Sequence, residues 1–287
     1  MRIYTESSFI RKRATSSGWL FWITSQGGAD VYRRPRIIPC LSIQNQDLVK
    51  TVGFKNPRYI GDPINTVKLF NNKSVDELCI LDITATIEKR EPNFAYLKEI
   101  ASEAFMPLSY GGGITNIDQI KTLFYIGYEK VVLNTAFVTN NDLIKKAVEY
   151  AGSQSVVASI DVKTDIFGKR KCYIEDGNVK IKEDPIILAI KAEELGVGEI
   201  LLNSIDKDGT MSGYDLRLVQ DVVKAVKIPV IACGGAGSIK DIKDVLHISG
   251  AHAAAAGSFF VYYGEKKAVL ITAPEEDELI KAGIYQS

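Results

Sequence analysis

Leu108–Thr135 (LSYGGGITNIDQIKTLFYIGYEKVVLNT) and Val230–Ser258 (VIACGGAGSIKDIKDVLHISGAHAAAAGS) repeat one pattern: apolar strand, glycine cluster, amphipathic helix, second short strand. Gly111, Gly112, Asp118, Gly127, Asn134 and Thr135 recur as Gly234, Gly235, Asp241, Gly250, Gly257 and Ser258, each about 123 residues later, a half-chain period that marks an internal duplication. Two half-barrels, about residues 36–152 and 153–270, suit a closed barrel with two related ligand sites facing each other. An open nucleotide-binding sheet fits this symmetry poorly.

Working outward, short β-branched runs alternate with helical patterns from Arg36 onward. Strands are predicted at Ile37–Ile43, Leu78–Ile83, Pro107–Tyr110, Val131–Asn134, Val156–Asp161, Ile200–Asn203, Val230–Ala232 and Ala253–Ala256. Helices are predicted at Asn93–Ala104, Ile117–Ile126, Leu143–Tyr150, Pro185–Leu195, Leu216–Val226 and Ile239–Ser249. Such alternation implies a parallel sheet, and about eight units imply an α/β fold closed as a (β/α)8 TIM barrel. The polar stretch Thr164–Lys182 interrupts the rhythm and reads as a small hairpin around Asp176-Gly177, over the barrel mouth.

Composition narrows the functions. Hydrophobic residues make up 46% of 287, enough for one large core, and Lys+Arg balance Asp+Glu at 35 each. Neither nucleic acid nor an anionic membrane is implied as partner, so phosphate binding must come from local geometry. Cys40, Cys79, Cys172 and Cys233 form no C-x-x-C pair, and the three in apolar strand-like runs read as reduced buried thiols, which fits a reducing cytoplasm. No ligand cluster supports a metal, no cofactor is implied, and no run reaches the roughly 20 apolar residues of a membrane span. His247 and His252 read as surface or packing residues of the seventh helix. Residues 1–34 match no later pattern and read as an appended extension, disordered or non-native, with the single barrel over 35–287.

Glycines between a strand end and a helix start put bare N–H groups beside a positive helix end, a setting that binds phosphate. Gly111, Gly112 and Gly113 follow the third strand; Gly234, Gly235 and Gly237 follow the seventh. Asn134-Thr135 and Gly257-Ser258, after the fourth and eighth strands, add further donors. A ligand with two phosphates across the barrel follows from the pair.

The runs Arg36–Lys50 (RIIPCLSIQNQDLVK), Leu81–Arg90 (LDITATIEKR), Tyr110–Ile114 (YGGGI), Gly152–Lys163 (GSQSVVASIDVK), Gly198–Asp215 (GEILLNSIDKDGTMSGYD) and Cys233–Gly237 (CGGAG) resemble the cyclase subunit of imidazole glycerol phosphate synthase. The resemblance covers about Arg36 to Phe260. It implies an ammonia-using enzyme of the lyase type that closes an imidazole ring on a bis-phosphorylated ribulose derivative, with ammonia from a glutaminase docked at the opposite barrel end. It also implies two mouth aspartates, one acid and one base. Asp161 matches the fifth-strand aspartate; at the first strand Ser42 replaces the other. Lys50, Asp82, Asn134, Asn203, Asp208 and Gly209 match further mouth positions. Arg36, Glu77, Lys130 and Glu199 match a ring of charges that gates ammonia entry. Strand alternation puts three of these on the inward face, while Glu77 and Asp82 differ in parity, so Glu77 is placed by resemblance alone.

A serine cannot exchange a proton near neutral pH as a carboxylate does, and losing a positioned acid or base costs about 10²–10⁴ in rate. The combination resembles a cyclase-like branch that works with a glutaminase and a sugar amidotransferase to build acetamidino sugars of surface polysaccharides. Pro39, Phe54–Pro63 (FKNPRYIGDP) and Phe260–Pro274 (FVYYGEKKAVLITAP) share that resemblance. The alternatives are a working histidine-pathway cyclase and a non-catalytic scaffold that activates its glutaminase.

Overall fold

The computed structural model describes residues 34–73 and 75–286. Eight parallel strands form its centre: β1 (Arg36–Gln44), β2 (Leu78–Asp82), β3 (Leu108–Gly111), β4 (Lys130–Leu133), β5 (Val156–Thr164), β6 (Glu199–Ser204), β7 (Val230–Cys233) and β8 (Ala253–Ala256). Each pairs with its neighbour in sequence, β8 pairs with β1, and β5 with β6, so the sheet closes into the expected (β/α)8 barrel. Every strand lies within one or two residues of its predicted bounds at the start, and β5 runs three residues further at its end, to Thr164.

Alternation sorts the side chains into two layers. Ile38, Cys40, Cys79, Val132, Val157, Leu201, Ile231, Cys233, Ala253 and Ala255 fill the barrel interior. Their outward neighbours, among them Ile37, Leu41, Ile80, Val131 and Ile200, pack under the helices. Both faces are thus buried, which is why the strands read as continuous apolar runs.

Two excursions leave the barrel at the carboxyl ends of strands. The predicted hairpin after β5 is present, Arg170–Ile174 pairing with Val179–Lys180, and it is joined to the barrel where Asp161 pairs antiparallel with Tyr173. A second hairpin, Asp47–Val52 with Lys55–Gly61, extends β1 and was not predicted. Nor was the helix that follows it, Pro63–Asn71, although Asp62 caps it by accepting from the Asn65 N–H at 2.7 Å and Pro63 sits at its first turn.

The sequence pattern ends the extension at residue 34, but Arg34 packs with the barrel. Its guanidinium lies 3.9 Å from the Tyr285 ring centre and within 3.5 Å of Asp76 and 3.1 Å of Glu276. Residues 1–33 lie outside the described residues. Among the described residues no helix is long and apolar enough to cross a membrane, and no group of His, Cys, Asp or Glu is placed to hold a metal.

Phe70, fully buried, meets Phe260 edge-on at 6.1 Å and so ties the unpredicted helix to the end of the barrel. Replacing it with Ala is expected to destabilise the protein by about 3–5 kcal/mol, read from urea unfolding.

Candidate active site at the barrel mouth

A cavity of about 680 Å³ opens at the carboxyl ends of the strands. It is lined by Ser42 from β1, Asp161 from β5 and Asn203 from β6, with Asp82, Asn134 and the glycine clusters at strand ends. Lys50, Thr135, Asp208, Gly209, Gly257 and Ser258 complete the set, so all the mouth residues singled out from sequence converge on one space. This is where barrels of this kind place their ligands.

The glycines are required by crowding as well as by any ligand. Gly112 has φ +128°, and a Cβ there would come within 2.5 Å of the Asp82 carbonyl oxygen. Gly234, at φ +88°, would meet the Ser204 carbonyl oxygen at 2.7 Å. Gly113 and Gly235 would collide with the carbonyl oxygens of Arg90 and Gly213.

One sequence expectation is corrected. The helices after the two glycine clusters are not open donors, because side chains already cap them. Asn116 and Gln119 form a capping box, Ser238 accepts from the Asp241 N–H, and Asp241 accepts from the Gly237 N–H at 3.0 Å. The uncapped helix starts are instead those of Thr135–Thr139 and Ser258–Val261, whose preceding residues Asn134 and Gly257 make no side-chain cap. Ser258 Oγ and Asn203 Oδ1 are buried without a hydrogen-bond partner among the described residues. A buried polar atom is costly to leave unpaired, so both suit a polar ligand group. A phosphate fits this setting: the Ser258 hydroxyl, unpartnered among the described residues, beside a glycine-rich bend at a helix start with no side-chain cap.

Three other predicted residues are committed to the protein itself. Asp82 takes two bonds from Arg90, both at 3.1 Å, and accepts from the Thr84 and Ala85 N–H groups. Its carboxylate therefore organises the loop after β2. Lys50 Nζ donates to Asp208 at 2.6 Å, and the other Asp208 oxygen accepts from Thr51 Oγ1 at 2.8 Å and the Phe54 N–H at 3.3 Å. Lys50 and Asp208 together hold the hairpin after β1 down over the mouth. Gly209 permits the approach, since a Cβ there would collide with the Thr51 carbonyl oxygen.

Asp161 is different. It is 7% exposed, and among the described residues its carboxylate accepts one hydrogen bond, from the Ser159 hydroxyl at 3.3 Å. Burial pushes its carboxyl up to about 7; the Ser159 bond opposes this, and the Asp208 charge adds to it. A second carboxyl escaped sequence reasoning. Asp176, at the turn of the hairpin after β5, lines the same cavity. It too is pushed up to about 7, by burial and then by the charges of Asp161 and Asp208, against Lys50. Asp-Gly reads as a turn signal, and only the closed fold reveals where that turn points.

At the opposite, amino-terminal ends of the strands, the remaining charges meet. Lys130 Nζ donates to Glu77 and Glu199, both at 2.8 Å. Arg36 donates to Glu77 at 2.6 Å and also pairs with Glu199. Glu77 shares its parity with inward Cys79, so the odd residue out is Asp82, at the end of its strand. Burial opposes ionisation of Glu199, yet Arg36 and Lys130 outweigh it and hold its carboxyl below the ordinary value.

Fold and site together define a (β/α)8 barrel with a ligand cavity at one end and a closed ring of alternating charges at the other. The chain matches the family described as histidine biosynthesis protein over residues 36–267. It is 47% identical over 246 residues to a Pseudomonas aeruginosa protein provisionally named imidazole glycerol phosphate synthase subunit hisF2, a match covering 86% of this chain and 98% of that one. A Vibrio vulnificus protein provisionally named subunit hisF3 is 44% identical over 255 residues, covering 88% and 98%. The imidazole glycerol phosphate synthase subunit HisF of Saccharolobus solfataricus is 43% identical over 225 residues, covering 78% and 89%. The chain belongs to this family, with the HisF, or cyclase-type, subunits of imidazole glycerol phosphate synthase.

Removing one partner from a buried charge network leaves the others uncompensated. Lys130→Met is therefore expected to cost about 3–5 kcal/mol in unfolding free energy, measured by denaturant titration.

Proposed function

We propose that this chain is the ammonia-using subunit of a glutaminase–synthase pair, in which ammonia enters through the charged ring and meets a bis-phosphorylated ribulose derivative at the mouth. The observation that carries this reading is that both ends of one barrel are equipped at once. Arg36, Glu77, Lys130 and Glu199 encircle the entrance, while Asp161, Ser258 and the glycine bends line the exit. Between them the interior is apolar and narrow-sided, with Ala253, Ala255 and the thiols of Cys40, Cys79 and Cys233. Neutral ammonia crosses such a lining far more readily than ammonium, whose desolvation is costly. The Cys40 thiol, raised well above its ordinary value chiefly by its contacts with Cys233 and Cys79, stays uncharged there.

In this reading Gly112, Gly113, Asn134 and Thr135 hold one phosphate, and Gly234, Gly235, Gly257 and Ser258 the other. Asn203 orients the ligand between them, and Asp161 exchanges protons with it. The glutaminase docks at the ring end, and the pair works in the cytoplasm.

Ser42 favours a second reading. With no carboxylate at the end of β1, the barrel passes its ammonia on to a sugar amidotransferase for acetamidino groups of a surface polysaccharide. Ammonia-dependent turnover of the bis-phosphorylated ribulose substrate, assayed with ammonium salt beside a Ser42→Asp variant, separates the two. Turnover by the native chain at a rate within about tenfold of the Ser42→Asp variant supports the first reading. Turnover by Ser42→Asp alone supports the second, with the ligand site retained and its chemistry lost.

A further inference from the structure

Five carboxylates line the mouth: Asp82, Glu91, Asp161, Asp176 and Asp208. Asp82 is ion-paired with Arg90 at 3.1 Å and Asp208 with Lys50 at 2.6 Å. Glu91 is exposed at the rim. Of the four that are not exposed, only Asp161 and Asp176 have no cation bonded to them among the described residues, and the Asp176 carboxylate has no hydrogen bond there either. Yet its turn is anchored. The Glu175 N–H donates to Thr135 Oγ1 at 3.2 Å, Asn134 Nδ2 reaches the Tyr173 carbonyl at 3.4 Å, and the Phe54 ring lies against Gly177. The group is held in place while its charge is left without a partner.

We propose that Asp176 and Asp161 form a carboxyl pair that supplies both the acid and the base of this mouth, Asp176 taking the part for which Ser42 has no carboxylate. The pair's surroundings are the Asp208 anion, the Lys50 ammonium that neutralises it, and the apolar side chains of Phe54 and Ile205 beside the turn. Two like charges in such a setting do not both ionise easily, so near neutral pH one carboxyl holds a proton and the other does not. Raised carboxyls of this kind are what acid–base chemistry near pH 7 requires.

This rests on the reading that ammonia meets a keto sugar phosphate at the mouth. As the ammonia nitrogen bonds to the carbonyl carbon, the C=O π pair moves to oxygen. The protonated carboxyl gives its proton to that oxygen, and the ionised one takes a proton from nitrogen. The product is a carbinolamine, and the pair keeps one proton, moved from one carboxyl to the other. Loss of water then runs the transfers in reverse, the new acid protonating the leaving hydroxyl and the new base removing a nitrogen proton to leave the imine.

The test is a carbon-13 NMR titration of aspartate-labelled full-length protein, native and as Asp176→Asn and Asp161→Asn. Asn keeps the positive φ of +54° that position 176 adopts, so the turn persists. Two carboxyl signals are expected to titrate near neutral pH, and each substitution is expected to lower the other's midpoint by about one pH unit. Titration of Asp176 in the ordinary carboxylate range, with Asp161 unmoved by its removal, overturns the pair. With ammonia and the ribulose substrate, Asp176→Asn is expected to lose about 10²–10⁴ in kcat with KM little changed. Unchanged kcat overturns the catalytic role while leaving the ligand reading intact. If the native chain turns over no ribulose substrate, that reading fails and the titration decides the pair alone.

Discussion

The pairing of β5 with β6, Glu199 opposite Val157 through Ser204 opposite Val162, is the constraint on which the site depends. It closes the sheet, and closure fixes which side chains point inward. Arg36, Lys130 and Glu199 begin their strands on the inward face, Ser42 and Asn203 lie on that face near the far ends of theirs, and the apolar layer falls between. A slip of one residue in any strand would turn its inward set out toward the helices. Geometry thus produces a charged end, an apolar interior and a polar mouth from one alternation.

Within the mouth, neighbouring charges separate ion-paired carboxylates from unpaired ones. Asp82 and Asp208 look equivalent to Asp161 in sequence, each at a strand end or just beyond. Arg90 and Lys50 convert the first two into clamps for the loops after β2 and β1. Asp161 and Asp176 have no bonded cation among the described residues, and burial pushes both carboxyls up to about 7. This division follows from local neighbours several residues or a whole strand away, and the fold brings them together.

The strands and most helices were legible because buried parallel strands and amphipathic helices have distinct periods, as in Val156–Thr164 and Leu216–Ala225. The hairpin at Asp47–Gly61 was hidden because its outer strand, Lys55–Gly61, is largely exposed and polar and so carries no burial signal. The helix starts after the glycine clusters read as open because that reading passes over the caps at Asn116 and Ser238. Asp176 was passed over because its local chemistry is that of a turn. The ring of four charges was legible only in part: alternation accounts for Arg36, Lys130 and Glu199, whereas Glu77 required the register of β2 against β1.

The central claim is that ammonia travels through this barrel from ring to mouth. It is tested most directly by supplying amide-nitrogen-15 glutamine to the chain and its glutaminase in excess unlabelled ammonium, with the phosphorylated ligand present, and measuring the label in the product by mass spectrometry. The account predicts product labelled well above the isotope ratio of the bulk ammonium. Product carrying only the bulk ratio would mean that ammonia reaches the mouth through solvent, and the barrel interior would then be no conduit.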